Sequence, residues 1–108
     1  MADNDNIIQE LQVIEQNLNN LSMQRQHLEL EMNETSNALS EVEQTKDEVY
    51  KMSGSILIKA DKEKLKKELT EKKKELEARN TAFEKQESML QSKADKLRES
   101  LQNQEAKK

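Results

Sequence analysis

Catalysis needs nucleophiles, acids, bases or metal ligands gathered at one place, and this chain offers few. His27 is the single histidine, and cysteine is absent. No second His or Cys stands beside it to build a metal site of the usual kind. His27 falls next to an apolar helical stripe, where a solvated side chain is expected. Carboxylates abound, 22 among 108 residues. They are expected on exposed helix faces, where their pKa values need not be tuned for acid or base work. Glycine occurs once, at 54, so no glycine-rich loop can cradle a phosphate. The residue types point away from an enzyme, a metal and any cofactor.

Two features hint at binding chemistry instead. Leu69, Leu76, Phe83, Leu90 and Leu97 recur every seven residues, behind a run from Lys62 to Lys74 that holds seven lysines. A basic leucine zipper has such spacing. Here the lysines alternate with Glu63, Glu68 and Glu71, and no arginine lies among them. Base reading favours arginine, and phosphate binding favours an unbroken basic face. With a net charge of −4, a salt-bridged helix face fits better, and no nucleic acid partner is expected. The second feature is Val49-Tyr50-Lys51-Met52-Ser53-Gly54-Ser55-Ile56-Leu57-Ile58-Lys59, which holds the only Gly, the only Tyr and the densest β-branched cluster.

Composition sets the scale on which these segments must be positioned. Charged residues make up 37% and hydrophobic ones 32%, against roughly 25% and 45–50% in ordinary domains. Such a chain cannot wrap a thick core; it is either disordered or built of long helices that bury a narrow stripe. No apolar run approaches the ~20 residues of a membrane span, and the apolar stripes lack the aromatics of a membrane-surface helix. The polar, acidic start Met1-Ala2-Asp3-Asn4-Asp5-Asn6 is not a signal peptide. The expectation is a soluble cytoplasmic protein with no membrane partner.

Periodicity decides for helices. Ile7, Leu11, Ile14, Leu18, Leu21, Leu28, Met32, Leu39 and Val42 are spaced by alternating fours and threes, with Arg25 and Thr35 filling the two missing steps. This is a coiled-coil seam with Leu11 at heptad position a and Ile14 at d. The first helix is expected at about residues 5–46, around 60 Å long at ~1.5 Å per residue, with Asp3 or Asp5 as its cap. Asn17, Gln24 and Glu31 are assigned to its outer face. A second helix is expected at about 61–106, capped by Asp61 and closed by Lys107 and Lys108. Its seam runs Leu65, Leu69, Leu76, Phe83, Leu90, Leu97, Leu101, with Lys72, Arg79, Gln86, Lys93 and Ser100 at the alternate steps and Ala82 and Met89 at the flanks. Glu63–Lys67, Glu68–Lys72 and Glu75–Arg79 are favourable surface pairs. Residues 1–58 carry 3 basic and 11 acidic side chains, and residues 59–108 carry 15 and 11. These opposite net charges favour the helices lying together.

Between them, Ser53-Gly54 separates two strand-like runs at about 48–52 and 55–59, where glycine supplies the positive φ of a tight hairpin. Tyr50 and Met52 share one face, and Ile56 and Ile58 another with Leu57 opposite. The fold class is mostly α: a long antiparallel two-helix coil joined by one β-hairpin, a single domain over 1–108. A lone hairpin is marginal in water. This one is apolar and has no other strand in the chain to cover it, so its partners must be other chains.

The hairpin segment, set between two heptad helices, resembles the β-class subunit of prefoldin (GimC), whose hairpin has the pattern V-Y-K-x-x-G-x-[LIV]-[LI]-[LIV]. The α-class has two hairpins per chain. The resemblance implies a hexamer of two α and four β subunits, their hairpins joined into a β-barrel platform with coiled-coil arms. It implies an ATP-independent holdase that captures unfolded proteins at the arm tips and delivers them to a group II chaperonin. Val49, Tyr50, Met52, Gly54, Ile56, Leu57 and Ile58 would build the platform. Ile7, Ile8, Leu11, Leu97 and Leu101 would form the client-binding tip; Ile8 lies outside the heptad frame, which leaves it exposed beside a fraying end. The rival reading is a structural coiled-coil adaptor without chaperone activity, which gives no reason for the hairpin.

Overall fold

The computed structural model describes the backbone of residues 2–106 and the side chains of residues 4–103. Helix α1 spans Ala2–Gln44, strands β1 and β2 span Val49–Ser53 and Ile56–Ala60, and helix α2 spans Lys62–Ala106. With no proline in the chain and its one glycine in the turn, neither helix contains a strong breaker. The chain divides into two compact units. A terminal unit combines residues 1–26 with 81–108, and a hairpin unit comprises residues 27–80.

α1 begins at Ala2 rather than near residue 5. Asp5 therefore lies inside the first turn, where its charge favours the helix dipole but its position is not that of a cap. The Asp3 side chain, and Lys107 and Lys108, lie outside the described residues. The other end is tied locally. The Thr45 amide donates to the Glu41 carbonyl at 2.9 Å, and the Thr45 hydroxyl accepts from the Asp47 amide at 3.2 Å. Lys62 Nζ donates to the Thr45 carbonyl at 2.6 Å, satisfying an acceptor that the helix end leaves open. Asp61 caps α2 as expected: its Oδ1 accepts from the amides of Glu63 and Lys64 at 2.9 and 3.4 Å.

The seam of α1 follows the expected frame throughout. Ile14, Leu21, Leu28, Thr35 and Val42 are buried at every seventh residue, and Ile7, Leu11, Leu18, Arg25, Met32 and Leu39 are half-buried between them. The seam of α2 does not follow its expected frame. Lys72, Arg79, Gln86, Lys93 and Ser100 are exposed; the alternate steps are Lys73, Asn80, Glu87, Ala94 and Leu101. Each leucine is thus followed by its seam neighbour at +4, not +3. Ala94 is fully buried, and the series Leu90-Ala94-Leu97-Leu101 carries the correct spacing. Ala82 and Met89, expected at the seam's flanks, are exposed.

Ion pairs were legible only in part. Glu75–Arg79 forms at 3.6 Å. Glu63 takes Lys66 at 3.7 Å, and Glu68 takes Lys51 of β1 at 3.0 Å, so neither has the partner its i, i+4 spacing suggested. A hairpin lysine within reach of Glu68 is a tertiary neighbour that helix spacing does not reveal.

Candidate functional site

Two places hold the residues singled out by the sequence. In the hairpin unit, β1 and β2 pair antiparallel with Val49 opposite Ala60, Lys51 opposite Ile58, Met52 opposite Leu57 and Ser53 opposite Ile56. The strands lie one residue later than expected, so Ser53 belongs to β1 and the two-residue turn is Gly54-Ser55 rather than Ser53-Gly54. Gly54 has φ +64° and open space where a side chain would start, so only its backbone conformation calls for glycine. A positive φ at Gly54 with none at Ser55 is the mark of a type II′ turn, whose twist suits a hairpin.

Register places Tyr50, Met52 and Leu57 on one face, with Ile56, Ile58 and Val49 on the other, as the alternation of the sequence required. Met52 is 66% exposed and Leu57 61%; Tyr50, Ile56 and Ile58 are each at least half exposed. Val49 differs. It is 8% exposed, already covered within the chain, so it anchors the hairpin's base rather than adding to the open surface. The other base residue, Ala60, is half-buried.

Charged groups at the same base fix its geometry. Glu48 accepts a hydrogen bond from the Tyr50 hydroxyl at 3.0 Å and pairs with Lys59 at 2.8 Å. The Lys59 ammonium first, and the Tyr50 hydroxyl second, hold the Glu48 carboxyl below its ordinary value of 4.5. All three side chains are open to water, so the cluster orients the strands more than it stabilises them.

In the terminal unit, Ile7, Leu11, Leu97 and Leu101 occupy seam positions and are half-buried. Ile8 stands outside the seam and is 42% exposed. Val13 and Met89 are also strongly exposed in this unit. Val13 was not singled out because one valine breaks no pattern. Met89 was hidden by the wrong frame for α2. Asn17 and Gln24, assigned to the outer face of α1, instead line a shallow groove beside the seam with Leu21 and Leu90, and Glu31 in the hairpin unit is half-buried.

The two sides of the terminal unit's seam differ in chemistry. One carries ions. Arg25 meets Glu87 at 2.6 Å and Glu84 at 3.5 Å, and Arg98 meets Asp95 at 3.3 Å and Glu15 at 3.5 Å. The groove on the other side, between Asn17 and Gln24 of α1 and Gln86 and Leu90 of α2, contains no ionisable side chain. Among the described residues no cluster of His, Cys, Asp or Glu could hold a metal ion. No helix there is long and apolar enough to cross a membrane.

These features define a class: two long helices with one two-stranded antiparallel hairpin between them, the hairpin apolar on both faces. A family model described as prefoldin subunit matches residues 5–108. The prefoldin subunit beta of Archaeoglobus fulgidus is 38% identical over 100 residues, covering 91% of this chain and 86% of that one. That of Thermococcus onnurineus is 35% identical over 95 residues, covering 86% and 82%. The crystal structure of the prefoldin beta subunit from Thermococcus strain KS-1 superimposes with a TM-score of 0.87 at 33% identity, covering 93% of this chain and 90% of that one. The chain belongs to the prefoldin subunit family, and its general role is that of a chaperone subunit.

Proposed function

We propose that the chain is a β-class prefoldin subunit acting as an ATP-independent holdase in the cytoplasm. Its hairpin joins those of other subunits, in a hexamer of two α-class and four β-class chains, to build a β-barrel platform. The helix ends at Ile7, Ile8, Leu11, Leu97 and Leu101 hold non-native proteins, which pass to a group II chaperonin. The observation that carries this reading is the hairpin: five apolar side chains are at least half exposed on two strands, and such a ribbon is marginal by itself in water. Burying side chains of this size is worth roughly 1.5–3 kcal/mol each at most. Several subunits acting together supply what one weak client contact cannot.

The test has two arms. Native mass spectrometry with and without a prefoldin α-class subunit is expected to show a hexamer only in the mixture; failure to join any α-class chain would remove the assembly. Replacing Ile7, Ile8 and Leu101 by Ser is expected to leave that mass intact and to reduce sharply the suppression of aggregation of an unfolded model protein. Ser at Gln16, Asn19 and Gln26, all exposed and polar, is the control. Equal activity in both variants would move client binding elsewhere. A hexamer that never suppresses aggregation would return the structural adaptor reading.

A further inference from the structure

The chain has five methionines and neither cysteine nor tryptophan. A mild two-electron oxidant such as hydrogen peroxide therefore finds the thioethers as its principal targets. Among the described residues three of them are open to water: Met23 is 63% exposed, Met52 66% and Met89 72%. Met32 is half-buried in the α1 seam.

Accessibility does not separate the three exposed thioethers, but their surroundings do. Met23 stands on α1 at a heptad position opposite the seam, and Met89 stands outside the seam of α2. An added oxygen on either stays in water. Met52 lies on β1 directly across from Leu57, on the hairpin face that also holds Tyr50 and Lys59. The polar hydrogens of that face, on the Tyr50 hydroxyl and the Lys59 ammonium, are directed at Glu48. When a sulfur lone pair attacks peroxide, the O–O bond breaks, a sulfur–oxygen bond forms and water is released. Sulfur loses two electrons and the peroxide gains them. The product replaces a flexible apolar group by a polar, chiral one. On a surface that loses its water, the new oxygen must compete with Glu48 for the donors of its own face.

We propose that Met52 is a reversible oxidation site, at which a peroxide-class oxidant acting on the free chain bars that chain from assembly. The inference rests on the hairpin being the joining surface. It adds to that surface a chemical control that Met23 and Met89 lack. The free chain leaves Met52 open, whereas neighbouring strands in the hexamer cover it, so oxidation selects unassembled chains. A methionine sulfoxide reductase restores the thioether: a dithiol is oxidised to a disulfide, and the oxygen leaves as water.

The experiment uses the full chain and a prefoldin α-class subunit. The chain is partly oxidised with hydrogen peroxide, the peroxide is removed and the α-class subunit is added. Peptide mass mapping is expected to find Met52 sulfoxide depleted at least about tenfold in the hexamer relative to the chains left out. The sulfoxides of Met23 and Met89 are expected in both pools within about twofold of each other. Met52→Leu keeps an apolar side chain without the thioether, and after the same treatment it is expected to assemble as fully as untreated chain. Excluded chains should keep their helix signal in circular dichroism and return to the hexamer after treatment with a methionine sulfoxide reductase and a dithiol. Met52 sulfoxide equally abundant in both pools, or Met52→Leu chains that peroxide still excludes, would overturn the inference and leave the joining-surface reading standing. Excluded chains that have lost their helix signal, or that stay out after reduction, would assign exclusion to other damage and overturn it as well. An untreated chain that forms no hexamer would remove the assembly reading, and the inference with it.

Discussion

Leu57 of the hairpin and Ile14 of the terminal unit's seam are aliphatic side chains of equal carbon count, yet Leu57 is 61% exposed and Ile14 only 4%. In the seam, spacings of three and four put each apolar residue against the other helix, so the chain covers its own apolar surface. In the strands, alternation divides the apolar residues between two faces, and one hairpin cannot cover both. The helices therefore cover their seam within one chain, whereas the hairpin presents an apolar surface that the chain leaves open. Stability and assembly should accordingly be separable by mutation.

The largest effect is expected where that separation is sharpest. Leu57→Asp sets a charge into the strand surface assigned to subunit contacts, where an unpaired carboxylate is costly. Native mass spectrometry should show loss of the hexamer while circular dichroism retains most of the helix signal. A full complex from this variant would break the comparison, because the hairpin would then not be the joining surface. A smaller effect is expected from two leucines of one helix, Leu28 and Leu30, which are 4% and 56% exposed. Leu28→Ala should lower unfolding stability by about 2–5 kcal/mol, toward the lower end if the seam relaxes. Leu30→Ala should change it by less than about 0.5 kcal/mol. Denaturant unfolding measures both, and similar losses would mean that burial does not set the cost.

The smallest effect concerns acid. Glu48 has its folded pKa held below 4.5 by Lys59 and Tyr50, so the folded hairpin binds fewer protons there than the unfolded chain. Its contribution is fully present above the ordinary carboxylate value and is lost as pH falls through the lowered one. Amide exchange of the β1–β2 pairs should show the hairpin loosening over that acid window, with the change reduced in Glu48→Gln. An identical acid profile in the variant would assign the loosening to other carboxylates.

Legibility followed how many neighbours each feature needs. The order helix, hairpin, helix, the seam of α1, the turn at Gly54 and the cap at Asp61 all depend on residues within a few positions, and the amino-acid sequence by itself determined them. Arg25 and Thr35 could be placed in the α1 seam because apolar residues flank them on both sides at the right spacing. The seam of α2 offered one strong apolar residue per heptad, which is compatible with a neighbour at +3 or at +4. Packing against another helix chose +4, burying Ala94 and exposing Met89. Packing between elements also gave Glu68 to Lys51 and joined Arg25 and Arg98 to carboxylates on one side of the terminal seam. That left the amides of Asn17, Gln24 and Gln86 beside an uncharged groove on the other. Tertiary structure alone decided these, because the partner of each lies on another element, where spacing along one helix carries no information.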